Sequence, residues 1–304
     1  MSTSENLNLF KSLFRGRDDV YAIRWEKDGR GGYMPAYKVD WSDYNQHKAK
    51  GGNFANYDKK EYLPLNVTVI QEHLSGKSTI GIYPLLRDNT SFFIVADFDE
   101  ENWKEDILDL YHICKEFELP AVIERSRSGN GGHLWLFFEE NIPAFMTRKL
   151  MFELLLRAKI ISEFDKEPSF DRLFPNQDTH SGKALGNLIA LPLQGSSLEN
   201  GNSCFINPVN FELIPNQWDF LQSISRITRQ NIESLHLQLS GTIKESFSTQ
   251  YNSEATFELE ILINSEIYLK RAQLSQPLTN YLRDNLNFIN SDFFVKKRLG
   301  KTSY

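Results

Sequence analysis

The middle of the chain changes its hydrophobic pattern from the period of a strand to that of a helix. Residues 91–99, SFFIVADFD, have the β-branched and aromatic content of a buried strand. The next segment, KEDILDLYHICKEFE, repeats apolar residues at helical spacing. The pattern therefore predicts a strand that is followed directly by a helix.

A similar alternation continues along the chain. The segments AVIERSR and HLWLFF predict two strands, which the glycine-rich turn SGNGG joins as a hairpin. A second helix is predicted over residues 143–161, and further strand and loop over residues 169–195. This βαββα order predicts an α+β fold in which helices cover one face of a sheet.

The two ends of the chain have a different texture. Residues 1–90 predict a small αβ module with the strand VYAIRW and the helix VTVIQEHL, and residues 91–215 form one unit with it. Residues 216–304 predict a mainly helical C-terminal extension that begins with WDFLQSI and RQNIESLHLQL. In this extension we expect a polar linker around residues 242–257, then the strand ELEILIN and the helix LTNYLRDNLNFI.

Composition excludes several classes of protein. With 304 residues, 40% of them hydrophobic and 24% charged, the chain is expected to form two domains or one domain with an appendage. It has no apolar run long enough to span a membrane and no secretory leader, which predicts a cytoplasmic protein without a membrane partner. Its two cysteines, Cys114 and Cys204, form no CxxC pair, so neither a disulfide framework nor a thiolate zinc site is expected.

The net charge of −6 disfavours a surface that binds nucleic acid everywhere. Basic residues nevertheless cluster locally, so a local basic patch remains open. The clusters are Lys11, Arg15, Arg17 and Arg24; Lys48, Lys50, Lys59 and Lys60; and Arg125 and Arg127.

The first candidate for chemistry is the pair Asp97 and Asp99 in FIVADFDE. On a strand both side chains point to the same face, with Cα atoms about 6.5 Å apart, and can share divalent metal ions. The alternative is that the pair simply ends a strand and that Asp99 caps the next helix. Asp97 argues against this alternative, because a carboxylate after the apolar run FFIVA is costly to bury alone.

The second candidate is the loop ERSRSGNGGH, where glycine backbone and two arginines can cradle a triphosphate. The alternative is an ordinary hairpin turn, with His133 packed in the sheet. Parity places His133 on the same face as Trp135 and Phe137, which leaves open whether that face is catalytic or packed.

A third candidate is the segment SFDRLFPNQD. Asp171 follows a short apolar stretch and can complete the acidic set, with Asp178 as its rival. Downstream, Lys183, Asn187 and Gln194 are polar positions that either contact a nucleotide or template or belong to the surface. The segment GKST is not a phosphate-binding P-loop, since Gln71 occupies the position of the required first glycine.

Taken in order, these three features resemble the three motifs of the archaeo-eukaryotic primase superfamily. A closer resemblance, over about residues 9–230, is to the primase-polymerase domain of TOTE conflict systems, which is usually joined to a helicase module. It implies an RRM-like primase palm at residues 91–215 packed on the N-terminal αβ module, with the active site between them. The segments that carry it are LFRGRDDVYAIRWE, GIYPLL, ADFDEENWKED, ERSRSGNGGHLWLFF, FDRLFPNQD and GNLIALPLQG.

The resemblance implies a template-dependent DNA primase-polymerase that uses NTP or dNTP on a single-stranded or primed DNA template. Asp97, Asp99 and Asp171 match the acidic positions that hold two Mg²⁺ or Mn²⁺ ions, and His133 matches the position that contacts the triphosphate. The expected nucleotide-binding residues are Arg125, Ser126, Arg127, Ser128, Gly129, Asn130, His133, Lys183, Asn187 and Gln194.

One segment departs from the family pattern. Family members carry a cysteine cluster where this chain reads GGNFANYDKKEYLPL, so no zinc is expected. Since accessory elements hold the initiating nucleotide in this superfamily, template-dependent extension is expected to survive the departure better than de novo priming.

Two rival functions stay open. One is a non-catalytic module that binds primed or single-stranded DNA and passes it to a helicase. The other is a different metal-dependent phosphoryl-transfer enzyme, such as a nuclease or a nucleotide cyclase. Retention of all three aspartates favours catalysis, because a binding platform has no reason to hold carboxylates where phosphates must come.

Overall fold

The computed structural model describes residues 3–161, 169–180, 182 and 184–248. Residues Met1–Lys244 form one compact unit, and Glu245–Tyr304 form a second. The predicted strand ELEILIN and the predicted helix LTNYLRDNLNFI lie outside the described residues. In the part of the chain that is described, no helix is long and apolar enough to cross a membrane.

The N-terminal region combines three helices with short antiparallel strands. Its elements are α1 (Thr3–Leu13), β1 (Ala22–Lys27), β2 (Arg30–Pro35), β3 (Tyr37–Lys38), α2 (Trp41–Ala49), β4 (Glu61–Tyr62), α3 (Val67–Leu74) and β5 (Ile80–Ile82). The segment VYAIRW, predicted as a strand, overlaps β1, and the segment VTVIQEHL, predicted as a helix, coincides with α3. The main sheet of this region has the order β10-β5-β1-β2, in which β10 (Ile189–Ala190) comes from a much later part of the chain.

A five-stranded antiparallel sheet forms the centre of the unit, with strand order β11-β7-β8-β6-β9. Its strands and the helices around it are β6 (Thr90–Asp99), α4 (Trp103–Glu116), β7 (Val122–Arg125), β8 (Gly131–Pro143), α5 (Ala144–Arg157), β9 (Phe170–Phe174), α6 (Gly195–Leu198), β11 (Cys204–Ile206), α7 (Gln217–Ser223) and α8 (Arg229–Ser248). The elements from β6 to α5 follow the predicted βαββα order, which confirms a mixed fold of helices and antiparallel sheets.

Alternation along β6 and β8 gives the central sheet two apolar faces. Ile94 and Leu134 point to one face and pack in a core cluster with residues of α4 and α5. Phe93 and Trp135 point to the other face and pack in a second cluster with α1, β5 and β10. The helices α4 and α5 therefore cover one face, and the N-terminal region covers the other.

The compact unit extends beyond the boundary predicted at residue 215. Leu221 of α7 lies in the cluster around Trp135, and Ile232 and Leu239 of α8 lie in the cluster around Leu134. Because these apolar residues are buried, the helices up to Lys244 belong to the unit instead of forming a separate extension.

The predicted polar linker at residues 242–257 begins inside α8, which continues to Ser248, and the compact unit ends at Lys244, within the predicted range. A polar composition limits burial, but it does not prevent a helical backbone, and Lys and Glu are good helix formers. Residues 249–257 lie outside the described residues.

A buried histidine ties α3 to the N-terminal sheet. His73 is fully buried, its Nε2–H donates to the carbonyl of Pro192 at 2.9 Å, and its Nδ1 accepts from the backbone N–H of Ile80 at 3.3 Å. Burial lowers the pKa of His73 to about 4. The folded protein therefore keeps this ring neutral at pH values where the unfolded chain is protonated.

We expect His73→Leu to be about 2–4 kcal/mol less stable than the wild type near neutral pH, because two buried backbone groups lose their partners. The difference should narrow as the pH falls from about 6.5 toward about 4. Over that range only the unfolded wild-type chain takes up a proton at residue 73, which lowers the wild-type free energy of unfolding alone. Denaturant unfolding of both proteins near pH 7 and pH 5 measures the difference, and a constant difference would contradict the assignment.

Candidate active site

Strand register aligns a row of polar side chains across the central sheet. Asp97 in β6 lies opposite His133 in β8 on one side and opposite Arg172 in β9 on the other. His133 lies in turn opposite Glu124 in β7. Directly opposed residues of antiparallel strands share a face, so all four side chains point toward the N-terminal region. The row alternates acidic and basic groups across four strands.

Three carboxylates meet at one end of this row. Asp97 and Asp99 are two residues apart on β6 and point to the same face, as the sequence predicted. Strand β9 shifts its register by one residue next to Asp97, and Asp171 is the extra residue of this bulge. Oxygen atoms of Asp97, Asp99 and Asp171 all lie within 4.8 Å of one another. In the described residues, this is the only set of three acidic, histidine or cysteine side chains close enough to hold a metal ion.

The rival carboxylate of Asp178 is committed elsewhere. It forms an ion pair with Arg148 of α5, and it is not part of the acidic cluster. Asp171 therefore completes the acidic set that the sequence left open between the two residues.

The acidic cluster is electrostatically strained. Burial raises the pKa of Asp99, and the neighbouring carboxylates of Asp97 and Asp171 raise it further. The opposing positive charge comes from His133 and from Arg172, whose Nε donates to Asp171 Oδ2 at 2.6 Å. A cation placed among the three carboxylates would remove their mutual repulsion.

His133 is buried between two carboxylates. Its Nδ1 lies 2.8 Å from Glu124 Oε2, and its Nε2 lies 3.2 Å from Asp97 Oδ1. Burial alone would lower the pKa of His133, but the charges and hydrogen bonds of Glu124 and Asp97 outweigh it and raise this pKa well above its usual value. The structure thus brings His133 into the site, which parity alone left open.

The glycine-rich loop folds back onto the acidic cluster. Ser126 Oγ and Ser128 Oγ lie 3.1 Å apart, and the N–H of Asn130 donates to Ser128 Oγ at 3.3 Å. A Cβ atom on Gly131 would lie 2.4 Å from Asp99 Oδ1, so only glycine allows β8 to pass this close to the carboxylate. At the tip of the loop, Gly129 has a φ of 80°, which glycine adopts without strain.

An open cleft of about 560 Å³ connects the acidic cluster to this loop. Asp99 forms one side, and Gly129 and Asn130 form the other. The rest of the lining consists of Glu100, Glu101, the largely buried Trp103 and Lys104, so two more carboxylates and one positive charge border the cleft. The cleft is therefore open to solvent at the point where the carboxylates and the loop meet.

Arg127 reaches across to the N-terminal region. Its guanidinium lies near the hydroxyl of Tyr33 of β2, and the guanidinium of Arg24 of β1 lies 5.6 Å from the centre of the Tyr33 ring. Burial raises the pKa of Tyr33, although the two arginines oppose this shift. The loop and the β1–β2 hairpin are thus in contact next to the site.

Three predicted nucleotide-binding residues are engaged with the protein itself. Arg125 donates to the carbonyls of Gly201 and Phe211 at 2.9 and 2.5 Å. Asn187 spans two backbone groups, with Nδ2 donating to one and Oδ1 accepting from the other, and Gln194 Oε1 caps α6. Their polar groups hold the backbone around the site, because each is already paired. Lys183 lies outside the described residues.

Two residues of the polar row were not predicted from the sequence. Glu124 is 1% exposed and accepts hydrogen bonds from His133 and Trp135. Arg172 directly follows Asp171 and lies opposite Asp97. A glutamate inside the apolar strand AVIERSR was an available signal for Glu124, since an unpaired carboxylate is rarely buried.

The sequence matches the family described as "TOTE conflict system, Archaeo-Eukaryotic Primase domain" over residues 5–235. Among solved structures, the AEP domain of the cyanophage S-2L primase-polymerase (PrimPol) is 12% identical, with a TM-score of 0.29 over 64% of this chain and 96% of that chain. The polymerase domain of Mycobacterium tuberculosis ligase D, in complex with DNA, is 11% identical, with a TM-score of 0.35 over 80% of this chain and 88% of that chain. No curated protein matches. Since the family match spans well over half of the sequence, the chain belongs to the archaeo-eukaryotic primase domain family of TOTE conflict systems.

Proposed function

We propose that the chain is a template-dependent DNA primase-polymerase that transfers nucleotides from NTP or dNTP to a 3′-hydroxyl by a two-metal mechanism. One observation carries the proposal: the carboxylates of Asp97, Asp99 and Asp171 meet within 4.8 Å, beside His133 and the glycine-rich loop. Membership of the family supports nucleotidyl transfer in general. The acidic cluster and the loop are the parts that this reaction requires.

The chemistry of the acidic cluster fits divalent cations. Asp97, Asp99 and Asp171 offer oxygen ligands only, and these suit Mg²⁺ and Mn²⁺. The raised pKa of Asp99 indicates that burial and negative neighbours already disfavour its charge, which a cation would favour. Bound here, two such ions would stabilise the negative charge that develops on the attacking 3′-oxygen and on the leaving pyrophosphate.

The residues around the cluster are suited to hold a nucleoside triphosphate. His133 directs Nε2 toward the acidic cluster, and Ser128 and Asn130 place polar groups at the loop. We propose that His133, the loop residues Ser126, Ser128, Gly129 and Asn130, and Arg127 bind the triphosphate. Arg172 would offset negative charge beside Asp97, as a guanidinium in a partly buried position can.

The central sheet supports a proposal about architecture. Strands β6, β7, β8 and β9 alternate with α4 and α5 in a βαββαβ order, and the four strands pair in the order β7-β8-β6-β9. This is the ferredoxin-like arrangement that RNA-recognition domains also use. We propose that these elements are the RRM-like palm, with β11 as an additional edge strand.

The partners follow from the same proposal. A single-stranded or primed DNA template would bind along the site, and a helicase module is the partner expected from the TOTE family. A cytoplasmic location is likewise a proposal from the sequence. In this proposal the DNA supplies the template and the 3′-hydroxyl of the reaction, whereas the helicase module takes no part in the chemistry at the acidic cluster.

The proposal is tested by supplying single-stranded DNA, with and without an annealed primer, together with labelled nucleotides and Mg²⁺ or Mn²⁺. We expect metal-dependent extension of the primer by the wild type and none by the Asp97→Ala/Asp99→Ala double variant. Product without primer would add de novo priming to the activity. Absence of product under every condition, with DNA binding intact, would overturn the proposal in favour of a non-catalytic DNA-binding module.

A further inference from the structure

Glu124 is a buried acidic residue to which the proposed reaction gives no task. It is 1% exposed, and it lies on β7, one strand farther from the acidic cluster than His133. Burial of an unpaired carboxylate is costly, so its surroundings must compensate its charge. Two N–H groups do this, from His133 Nδ1 at 2.8 Å and from Trp135 Nε1 at 2.9 Å.

Both N–H groups meet the same oxygen atom, Glu124 Oε2. The Trp135 donor fixes the carboxylate, because the indole ring is itself held in the aromatic core. His133 and Trp135 are two residues apart on β8 and share a face. Any rotation of the Glu124 side chain would break both hydrogen bonds together.

Trp135 is a rigid anchor for this carboxylate. Its indole ring is fully buried, and it packs against the rings of Phe14, Phe93 and Phe137 at centroid distances of 5.4, 5.2 and 5.5 Å. Because the ring cannot turn without disturbing this aromatic cluster, its N–H keeps a constant direction. Glu124 therefore connects His133 to the apolar core of the protein.

The consequence appears on the other side of the imidazole ring. With Nδ1 held by Glu124, Nε2 points across the sheet to Asp97, at 3.2 Å from Oδ1. A ring with one nitrogen tied to a fixed acceptor has its second nitrogen directed along one line. That line ends at the acidic cluster where the triphosphate is proposed to bind.

We propose that Glu124 is a positioning residue, which, with Trp135 as its anchor, holds the His133 ring so that Nε2 faces the triphosphate. This inference rests on the proposed function, since it assigns a task to the same site. Glu124 does not touch the nucleotide; it acts through His133. The proposal predicts that nucleotide binding depends on a side chain that is fully separated from solvent.

The first test uses Glu124→Gln, in which the amide oxygen can still accept both N–H groups but the negative charge that strengthens these hydrogen bonds is lost. We expect the KM for the incoming nucleotide to rise about tenfold or more, with kcat less affected and the Kd for primed DNA unchanged. Trp135→Phe should shift the same KM in the same direction, by a smaller factor. Glu139→Gln, an exposed glutamate on β8, is the matched control and should behave as the wild type.

The second test needs no activity. In ¹⁵N-labelled protein, correlation of the His133 ring nitrogens with their protons reports which nitrogen carries a hydrogen-bonded proton. We expect a protected Nδ1 proton in the wild type and its loss or faster exchange in Glu124→Gln. An unchanged His133 signal in the variant would overturn the proposal, whether or not the protein is a polymerase.

The two tests separate the proposals. An inactive wild type with a Glu124-dependent His133 signal would contradict the polymerase but support the positioning role. An active wild type whose nucleotide KM is unchanged by Glu124→Gln would overturn the positioning role alone. A variant with lowered kcat, unchanged KM and reduced melting temperature would show that Glu124 serves stability only, and would also overturn it.

Discussion

Asp99→Asn should reduce nucleotide incorporation by about 10³-fold or more while leaving the protein folded, as loss of a group that acts as part of a catalytic unit does. Burial and the neighbouring carboxylates raise the pKa of Asp99, so its negative charge is unfavourable in the metal-free fold. The neutral amide removes that repulsion, and we expect an unchanged or raised melting temperature without metal. Primer extension and thermal unfolding of the same preparations measure both effects.

The matched control for this change is Asp178→Asn. Asp178 also lies near β9, but it pairs with Arg148 and is outside the acidic cluster. It should retain nucleotide incorporation. Mg²⁺ should raise the melting temperature of the wild type and of this control more than that of Asp99→Asn, because ligands that bind the folded state stabilise it. Normal incorporation by Asp99→Asn would contradict the metal assignment.

His133→Ala should weaken nucleoside triphosphate binding by about 10–100-fold while changing template binding little, by analogy with the loss of other positioned polar groups. In contrast to Asp99→Asn, it should lower the melting temperature, because Asp97 and Glu124 each lose a buried partner. Nucleotide KM, template Kd and thermal unfolding of the variant measure these effects. An equal loss of nucleotide and template binding would show that His133 has a structural role only.

The local hydrophobic pattern of the sequence was sufficient to predict the strands and the hairpin that form the centre of the site. Residues 91–99 form one long strand, and its alternation places Asp97 and Asp99 on one face, because side chains of a strand alternate. The hairpin that carries the glycine-rich loop was predicted from two strand-like segments and from the glycines of the turn that joins them. These features depend on neighbours in the chain, and the sequence contains that information directly.

Features that depend on the register between strands could not be predicted from the hydrophobic pattern of the sequence. The acidic set was open between Asp171 and Asp178, because the one-residue bulge in β9 that turns Asp171 toward Asp97 cannot be recognised from the sequence. The pairing of β7 with β8, which brings Glu124 to His133, joins residues whose register the sequence alone does not fix. Asn187 looked available for a ligand, yet its amide bonds to backbone that only the fold brings near.

The compact unit extends beyond residue 215, because Ile232 and Leu239 of α8 are buried in its core. The unit ends at Lys244, inside the polar segment predicted as a linker, and α8 continues from there to Ser248. The number of apolar residues in a segment predicts how much of it can be buried. It does not predict where a helix anchored at its N-terminal half will end.

The pairing of β10 with β5 has a consequence for synthesis on the ribosome. The sheet of residues 1–90 gains its edge strand from Ile189–Ala190, so this sheet is incomplete until most of the described chain has been made. Until then β5 presents an open edge, which can pair with other nascent chains. A fragment cut after residue 90 would keep that open edge permanently, and is expected to aggregate. The N-terminal region is therefore not expected to fold correctly when it is transferred alone to another protein, and such a transfer would have to include β10.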